Sequence, residues 1–143
     1  MLFANTDQAM FMARSQARQT LPQALRTATI SNGGLSSSLT LKVAIPVGRK
    51  SSGDTEVIWV GNLTRRSNDY TGNLQNEPSE ILNKKGGSRV RFSYDQISDW
   101  ALPGSDGRLY GHYTTRVMLG DLPASTRQQI ERLLQPVPAP SNW

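Results

Sequence analysis

The hydrophobic period of this chain changes sharply between Ala28 and Leu39. Apolar residues recur at helical spacing as far as Ala28 and at alternate positions from Leu39 onward. Between them lie Ser31-Asn32-Gly33-Gly34 and the serines 36 to 38. A helix with one apolar stripe and a strand with one apolar face must each bury that surface against another layer. Helices followed by a run of strands therefore restrict the chain to the α+β class.

Thr6 or Asp7 is placed to cap a first helix carrying Ala9, Met10, Ala13 and Ala17, with Arg14 and Arg18 near its C-terminal end. Thr20-Leu21-Pro22 reads as the start of a short second helix with Ala24, Leu25 and Ala28, because Pro suits a first helical turn. Leu39, Leu41, Val43 and Ile45 then alternate with polar or small residues, as in a half-buried strand. Residues 48–54 form a polar loop between this strand and the next. Val57-Ile58-Trp59-Val60 is apolar at every position, which marks a central strand covered on both sides.

Asn68 to Gly72 is a turn into a short strand of residues 72–75, broken at Asn76-Glu77-Pro78. Residues 84–87 turn again. A strand follows with Val90, Phe92 and Tyr94 inward and Arg89, Arg91 and Ser93 outward. Residues 96–100 read as a loop or one helical turn, and Ser105-Asp106-Gly107-Arg108 as a tight reversal. A last strand over 109–118 alternates Leu109, Gly111, Tyr113, Thr115 and Val117 with Tyr110, His112, Thr114, Arg116 and Met118. Ser125 and Gln128 have capping-box spacing for a C-terminal helix with Ile130, Leu133 and Leu134.

The expected architecture is thus N-terminal helices packed on a twisted antiparallel sheet of about five strands, open or partly closed into a barrel, with a C-terminal helix. Residues 1–135 form a single α+β domain, and the Pro-rich segment 136–143 forms a mobile tail.

Composition removes several function classes. The 143 residues include no Cys and one His, which excludes disulfide frameworks, thiolate nucleophiles and multi-histidine zinc sites. No G-x-S-x-G, P-loop, G-x-G-x-x-G or H-E-x-x-H pattern occurs. The paired glycines 33–34 and 86–87 lack the strand–Gly–helix setting of a phosphate loop, and the serines 36–38 and 51–52 have no adjacent base. No cofactor is implied. A signal peptide needs a basic start and an unbroken apolar run, and Asn5, Thr6 and Asp7 interrupt this one. The chain as written is expected to be cytoplasmic and without a membrane segment, with export left open for a chain that has lost a leader. Its oligomeric state is not legible. Net charge is +5, carried by 12 Arg and 4 Lys, a balance suited to carboxylate or phosphate partners.

Several stretches stand together in a recognisable order. They are Ala13-Arg14 through Ala17-Arg18-x-Thr20-Leu21-Pro22, then Val57-Ile58-Trp59-Val60, then Gly72-x-Leu74-x-Asn76-Glu77-Pro78, then Ile97-Ser98-Asp99-Trp100, and last Gly111-x-Tyr113-Thr114-x-Arg116-Val117. In this order they resemble the YegJ-like bacterial family, a domain of unknown function (number 2314), over most of the chain. The resemblance implies a bacterial origin and a shared fold. It implies no catalytic residues.

The strongest functional feature is a proposed polar sheet face. Alternation puts Arg89 and Arg91 on it from one strand and Tyr110, His112, Thr114 and Arg116 from another, with Lys42 joining from the first. Interleaved Arg and aromatic side chains suit anionic partners. A half-buried antiparallel sheet also has a solvated face in any case. Asp99-Trp100 and Glu77 lie in loops, where a carboxylate pairs with Arg116 and Trp100 acts either as platform or as lid. The candidate binding residues are Glu77, Arg89, Arg91, Asp99, Trp100, Tyr110, His112, Tyr113 and Arg116.

They point to a non-enzymatic binding module for another protein with an acidic surface, of which a toxin-neutralising (immunity-type) role is one form. The alternative is nucleic-acid binding, or a small endoribonuclease using His112 with Glu77 or Asp99. A third reading makes the chain a structural subunit tethered through its tail.

Overall fold

The computed structural model of the chain describes residues 2–48 and 53–143. In chain order these form α1 (Leu2–Ala28), β1 (Thr40–Pro46), β2 (Thr55–Arg66), β3 (Asp69–Leu74), β4 (Arg89–Ser93), β5 (Ile97–Pro103), β6 (Leu109–Gly111), α2 (Tyr113–Met118) and α3 (Ala124–Leu133). The strands make one antiparallel sheet in the order β4-β3-β2-β1-β5-β6, which is open rather than closed. The fold is α+β, with six strands where about five were expected. No helix among the described residues is long and apolar enough to cross a membrane. The chain divides into two compact units, Thr27–Ser98 and the pair of segments Met1–Arg26 with Asp99–Trp143.

In the unit Thr27–Ser98, β1 buries Leu41, Val43 and Ile45 and turns the intervening residues outward, as its alternation predicts. It pairs with β2 from Leu41 opposite Val60 to Pro46 opposite Thr55. Each fully buried Leu or Val contributes about 1.5–3 kcal/mol relative to exposure.

The expectation that β2 is covered on both faces fails. Ile58 and Val60 are buried, but Val57 is half exposed and Trp59 only partly covered. The uniformly apolar run conceals an ordinary two-sided strand. β2 also continues well past Val60, because a bulge between Gly61 and Thr64 absorbs Asn62 in a left-handed conformation (φ 50°). Opposite the bulge a side chain at Gly72 would meet the Gly61 carbonyl at 2.7 Å, so this position of β3 must be glycine. Tyr70 of β3 and Phe92 of β4 stack in the core at 5.5 Å between ring centroids.

In the other unit, the two expected N-terminal helices are one. α1 runs from Leu2 through Pro22, so neither Thr6, Asp7 nor Thr20 begins a helix. Ala13, Ala17, Leu21, Ala24 and Ala28 form one unbroken buried stripe along α1, which rewards continuing through the proline. The Thr20 hydroxyl, two residues before the proline, lies 3.2 Å from the carbonyls of both Gln16 and Ala17.

The segment 96–100 is not a loop. A 3-10 turn over Tyr94–Gln96 leads directly into β5. The last strand is shorter than alternation suggested, since β6 ends at Gly111 and α2 takes over at Tyr113. Two consecutive left-handed residues, Gly111 (φ 80°) and His112 (φ 53°), make that break. α3 starts at Ala124 behind Pro123 with no side-chain cap, so Ser125 does not cap it. Of its expected stripe Leu134 is buried while Leu133 is 61% exposed. The segment 136–143, expected to be a mobile tail, accepts the Gly111 N–H on the Pro138 carbonyl (2.7 Å) and stacks Trp143 on Trp100 (5.5 Å).

Candidate functional site

The candidate residues fall into two groups of opposite character. The first lies in the unit that contains Asp99–Trp143. Asp99 is 1% exposed, and its carboxylate is held by hydrogen-bond donors. Its Oδ1 accepts the N–H groups of Trp100 (2.8 Å) and Tyr113 (3.2 Å). Its Oδ2 accepts the N–H of Thr114 (2.9 Å) and the Thr114 hydroxyl (2.6 Å). Tyr113 and Thr114 are the first two residues of α2, so Asp99 satisfies donors that every helix start leaves without an intrahelical partner. Periodicity within 109–118 carries no sign of this, since the acceptor lies far upstream. The strand-like alternation there lost to a carboxylate that pins a helix start.

The neighbouring side chains complete a closed network. Trp100, fully buried, donates Nε1–H to Thr20 Oγ1 (2.9 Å), and the Thr20 hydroxyl is 3.1 Å from the Tyr113 phenol. Burial pushes the Tyr113 phenol above its ordinary pKa. Trp100 and Tyr113 meet edge to face at 6.1 Å.

Arg116 does not pair with a carboxylate as expected. Its guanidinium donates to the backbone carbonyls of Gly111 (2.9 Å), Gln135 (2.8 Å) and Leu109 (3.3 Å). Burial draws its pKa below the ordinary value, with Tyr113 and Asp99 acting the other way. His112 precedes α2, with Nδ1 2.8 Å from Thr115 Oγ1. Tyr110 lies half-buried on β6 opposite Leu102. Tyr110, His112, Thr114 and Arg116 therefore do not share one polar strand face. Thr114 is buried and Arg116 holds backbone.

The second group lies in the unit Thr27–Ser98, and here the alternation holds. Register places Thr64, Thr71 and Arg91 side by side across β2, β3 and β4, with Arg66 opposite Asp69 and Asn73 opposite Arg89. All belong to the face turned away from the buried Tyr70 and Phe92. Arg89 lies across this face, donating to Asn62 O (3.3 Å), Asn73 Oδ1 (3.1 Å), Thr64 Oγ1 (3.3 Å) and Thr71 Oγ1 (2.7 Å). These four acceptors are neutral, so the arginine is positioned without losing its charge. Arg91 pairs with Asp69 at 2.8 Å, and both side chains are more than half exposed. Such a pair contributes about 0–1 kcal/mol.

Two adjoining depressions take in residues of this face, and the second also reaches Ile45, Val47, Ile81 and Val90, which are buried. One, of about 460 Å³, is lined by Thr64, Arg65, Arg66, Asp69, Thr71 and Arg91. The other, of about 410 Å³, shares Thr71 and Arg91 and adds the cations Lys84 and Arg89 with apolar Pro46, Val47, Ile81 and Leu82. Five cations and one carboxylate therefore line the pair. Glu77, the remaining candidate, turns its carboxylate to Gly86 N–H (2.9 Å) and fixes the turn before β4.

Arg65, Arg66, Thr64, Thr71 and Lys84 were not among the sequence candidates. The sequence marks the strand over residues 57–60, and three of them lie on the continuation of β2 past its bulge.

Residues 7–134 match the family described as "Uncharacterized protein conserved in bacteria (DUF2314)", and the chain belongs to that family. It is also similar to "Uncharacterized protein YegJ" of Escherichia coli (strain K12), at 27% identity over 82 residues, which cover 57% of this chain and 53% of that protein. The chain thus spans about half the length of this curated relative. No solved structure matches it.

Proposed function

We propose that this bacterial domain is a non-enzymatic binding module, and that its partner is a protein with an acidic surface held on the outer face of β2, β3 and β4. The observation that carries this reading is the pair of adjoining depressions lined by five cations and one carboxylate. Arg89 is already oriented by four hydrogen bonds, so little side-chain entropy is lost when an anion arrives. Leu82, half exposed at the second depression, favours a partner that brings aliphatic side chains with its carboxylates.

Nucleic acid fits less well. Binding of single strands relies on aromatic stacking, and no aromatic residue lines either depression among the described residues. An endoribonuclease built on Asp99 lacks a base, since four donors occupy both carboxylate oxygens.

The test is fluorescence anisotropy with labelled polyglutamate and a labelled single-stranded oligonucleotide at matched salt. Polyglutamate should bind more tightly and lose affinity in the Arg66→Glu/Arg91→Glu double variant. Tighter oligonucleotide binding with a steep log-linear salt dependence would replace this reading with the nucleic-acid one.

A further inference from the structure

The two ends of the strand order are finished differently. β6 has a covered edge, because the chain's own C-terminal segment lies along it. Leu134 bridges Leu109 in parallel, Gln135 N–H donates to Leu109 O (2.9 Å) and Gly111 N–H to Pro138 O (2.7 Å). β4 is the other terminal strand, and among the described residues it pairs with β3 alone.

The hydrogen-bond parity of β4 follows from its flanks. Tyr94 N–H donates to Asn68 O (3.2 Å) and Leu74 N–H to Ser88 O (2.9 Å), on the same register line as Tyr70 opposite Phe92 and Gly72 opposite Val90. Pairs that exchange backbone hydrogen bonds alternate along an antiparallel ladder. Arg89, Arg91 and Ser93 therefore aim their N–H and C=O groups away from β3. Lys84 Nζ reaches the Arg89 carbonyl (3.2 Å), and Gln96 Oε1 takes the Ser93 N–H (2.8 Å). At the middle of the edge, the N–H and C=O of Arg91 meet no hydrogen-bond partner among the described residues.

Resting on the binding reading above, we infer that the open edge of β4 receives an extended segment of the acidic partner as an added strand. Its acidic side chains would alternate with aliphatic ones. Residues directly opposite each other in a ladder share a face. Those facing Arg89 and Arg91 meet cations and must be acidic, whereas those facing Val90 and Phe92 lie on the buried side and must be apolar. A second copy of this chain is a poor occupant. Antiparallel self-pairing of β4 would set arginine against arginine, and like charges directly opposite destabilise a ladder. The arginines thus discourage self-association at an edge while leaving it open to an acidic strand.

The probe is a short labelled peptide of alternating Glu and Val, compared with a block-ordered peptide of the same composition. Anisotropy gives affinity, and amide hydrogen exchange by NMR gives location. The alternating peptide should bind about tenfold more tightly, the difference expected of two or so backbone hydrogen bonds, and should protect the Arg91 amide. Arg91→Pro should remove that advantage, since the lost N–H serves no bond to β3 and an edge strand tolerates proline there. If that variant does not fold, protection of the Arg91 amide in the unaltered chain decides alone. Equal binding of both peptides, weakened by Arg66→Glu but without protection of Arg91, overturns the edge inference and leaves the basic-face reading standing. Failure of both peptides to bind overturns both.

Discussion

Asp99 and Arg91 are both charged residues that sequence reasoning nominated for the same surface, and the molecule uses them in opposite ways. Asp99 is 1% exposed and spends both oxygens on four donors. Arg91 is exposed, and one surface carboxylate is its charged partner. The difference teaches how to separate charge that holds a fold together from charge that a fold leaves on its surface. The stretches Ile97-Ser98-Asp99-Trp100 and Gly111-x-Tyr113-Thr114-x-Arg116 supply a network whose hydrogen-bonding capacity is used internally. The outer face of β2, β3 and β4 instead holds charge that its own unit leaves unbalanced.

Four substitutions sharpen that contrast, and the largest effect belongs to Asp99→Ala. It strands three backbone N–H groups and a hydroxyl where water does not reach, and at about 1–3 kcal/mol per orphaned buried donor the loss should be at least about 3 kcal/mol. Urea unfolding measures it. A loss below about 1 kcal/mol would mean that water or a relaxed backbone replaces the carboxylate.

Gly111→Ala comes next. The new methyl would run into the Trp100 carbonyl oxygen, and φ is +80°. A destabilisation of about 2 kcal/mol or more is expected from strain and repacking, read as a fall in melting temperature. An unchanged melting temperature would show that β6 and α2 can separate from Trp100 at little cost.

Charge reversal on the basic face should behave the other way. Arg91→Glu should alter stability by about 0.5 kcal/mol or less, as for most surface positions, while weakening polyglutamate binding. Asp69→Asn should strengthen that binding by releasing the Arg91 guanidinium. A weaker Asp69→Asn variant would place the carboxylate within the binding geometry rather than in competition with the ligand.

The smallest effect is a local pH dependence. Glu56 accepts the backbone N–H groups of Ser79 (2.8 and 3.0 Å), Glu80 (2.8 Å) and Ile81 (3.3 Å). The Ser79 bond, followed by that of Glu80, draws its carboxyl below the usual carboxylate range. A depressed folded pKa stabilises above the unfolded value, and the contribution disappears as pH falls through the folded one. The amide shifts of Ser79, Glu80 and Ile81 should therefore titrate together below the ordinary carboxylate range. Glu56→Gln should abolish that titration.

Much of the fold was readable because local pattern and tertiary packing agreed. The face of β1 carrying Leu41, Val43 and Ile45 and that of β4 carrying Val90 and Phe92 follow alternation directly. Sequence failed where a distant group overrode the pattern. Pro22 reads as a start, but the stripe from Ala13 to Ala28 carries α1 through it. Residues 113–118 alternate like a strand, but Asp99 nucleates α2 there. On the candidate surface Arg89 and Arg91 were visible, whereas Arg65 and Arg66 lie past a bulge, beyond the apolar run 57–60 that marked the strand.

The measurement that bears most directly on the division between network and surface is the polyglutamate affinity of Arg66→Glu/Arg91→Glu, taken beside its urea midpoint. An affinity loss of about tenfold or more at an unchanged midpoint is the result expected when two desolvated charge contacts are removed. Unchanged affinity would contradict the assignment of function to this face, and a collapsed midpoint would make these arginines part of the fold.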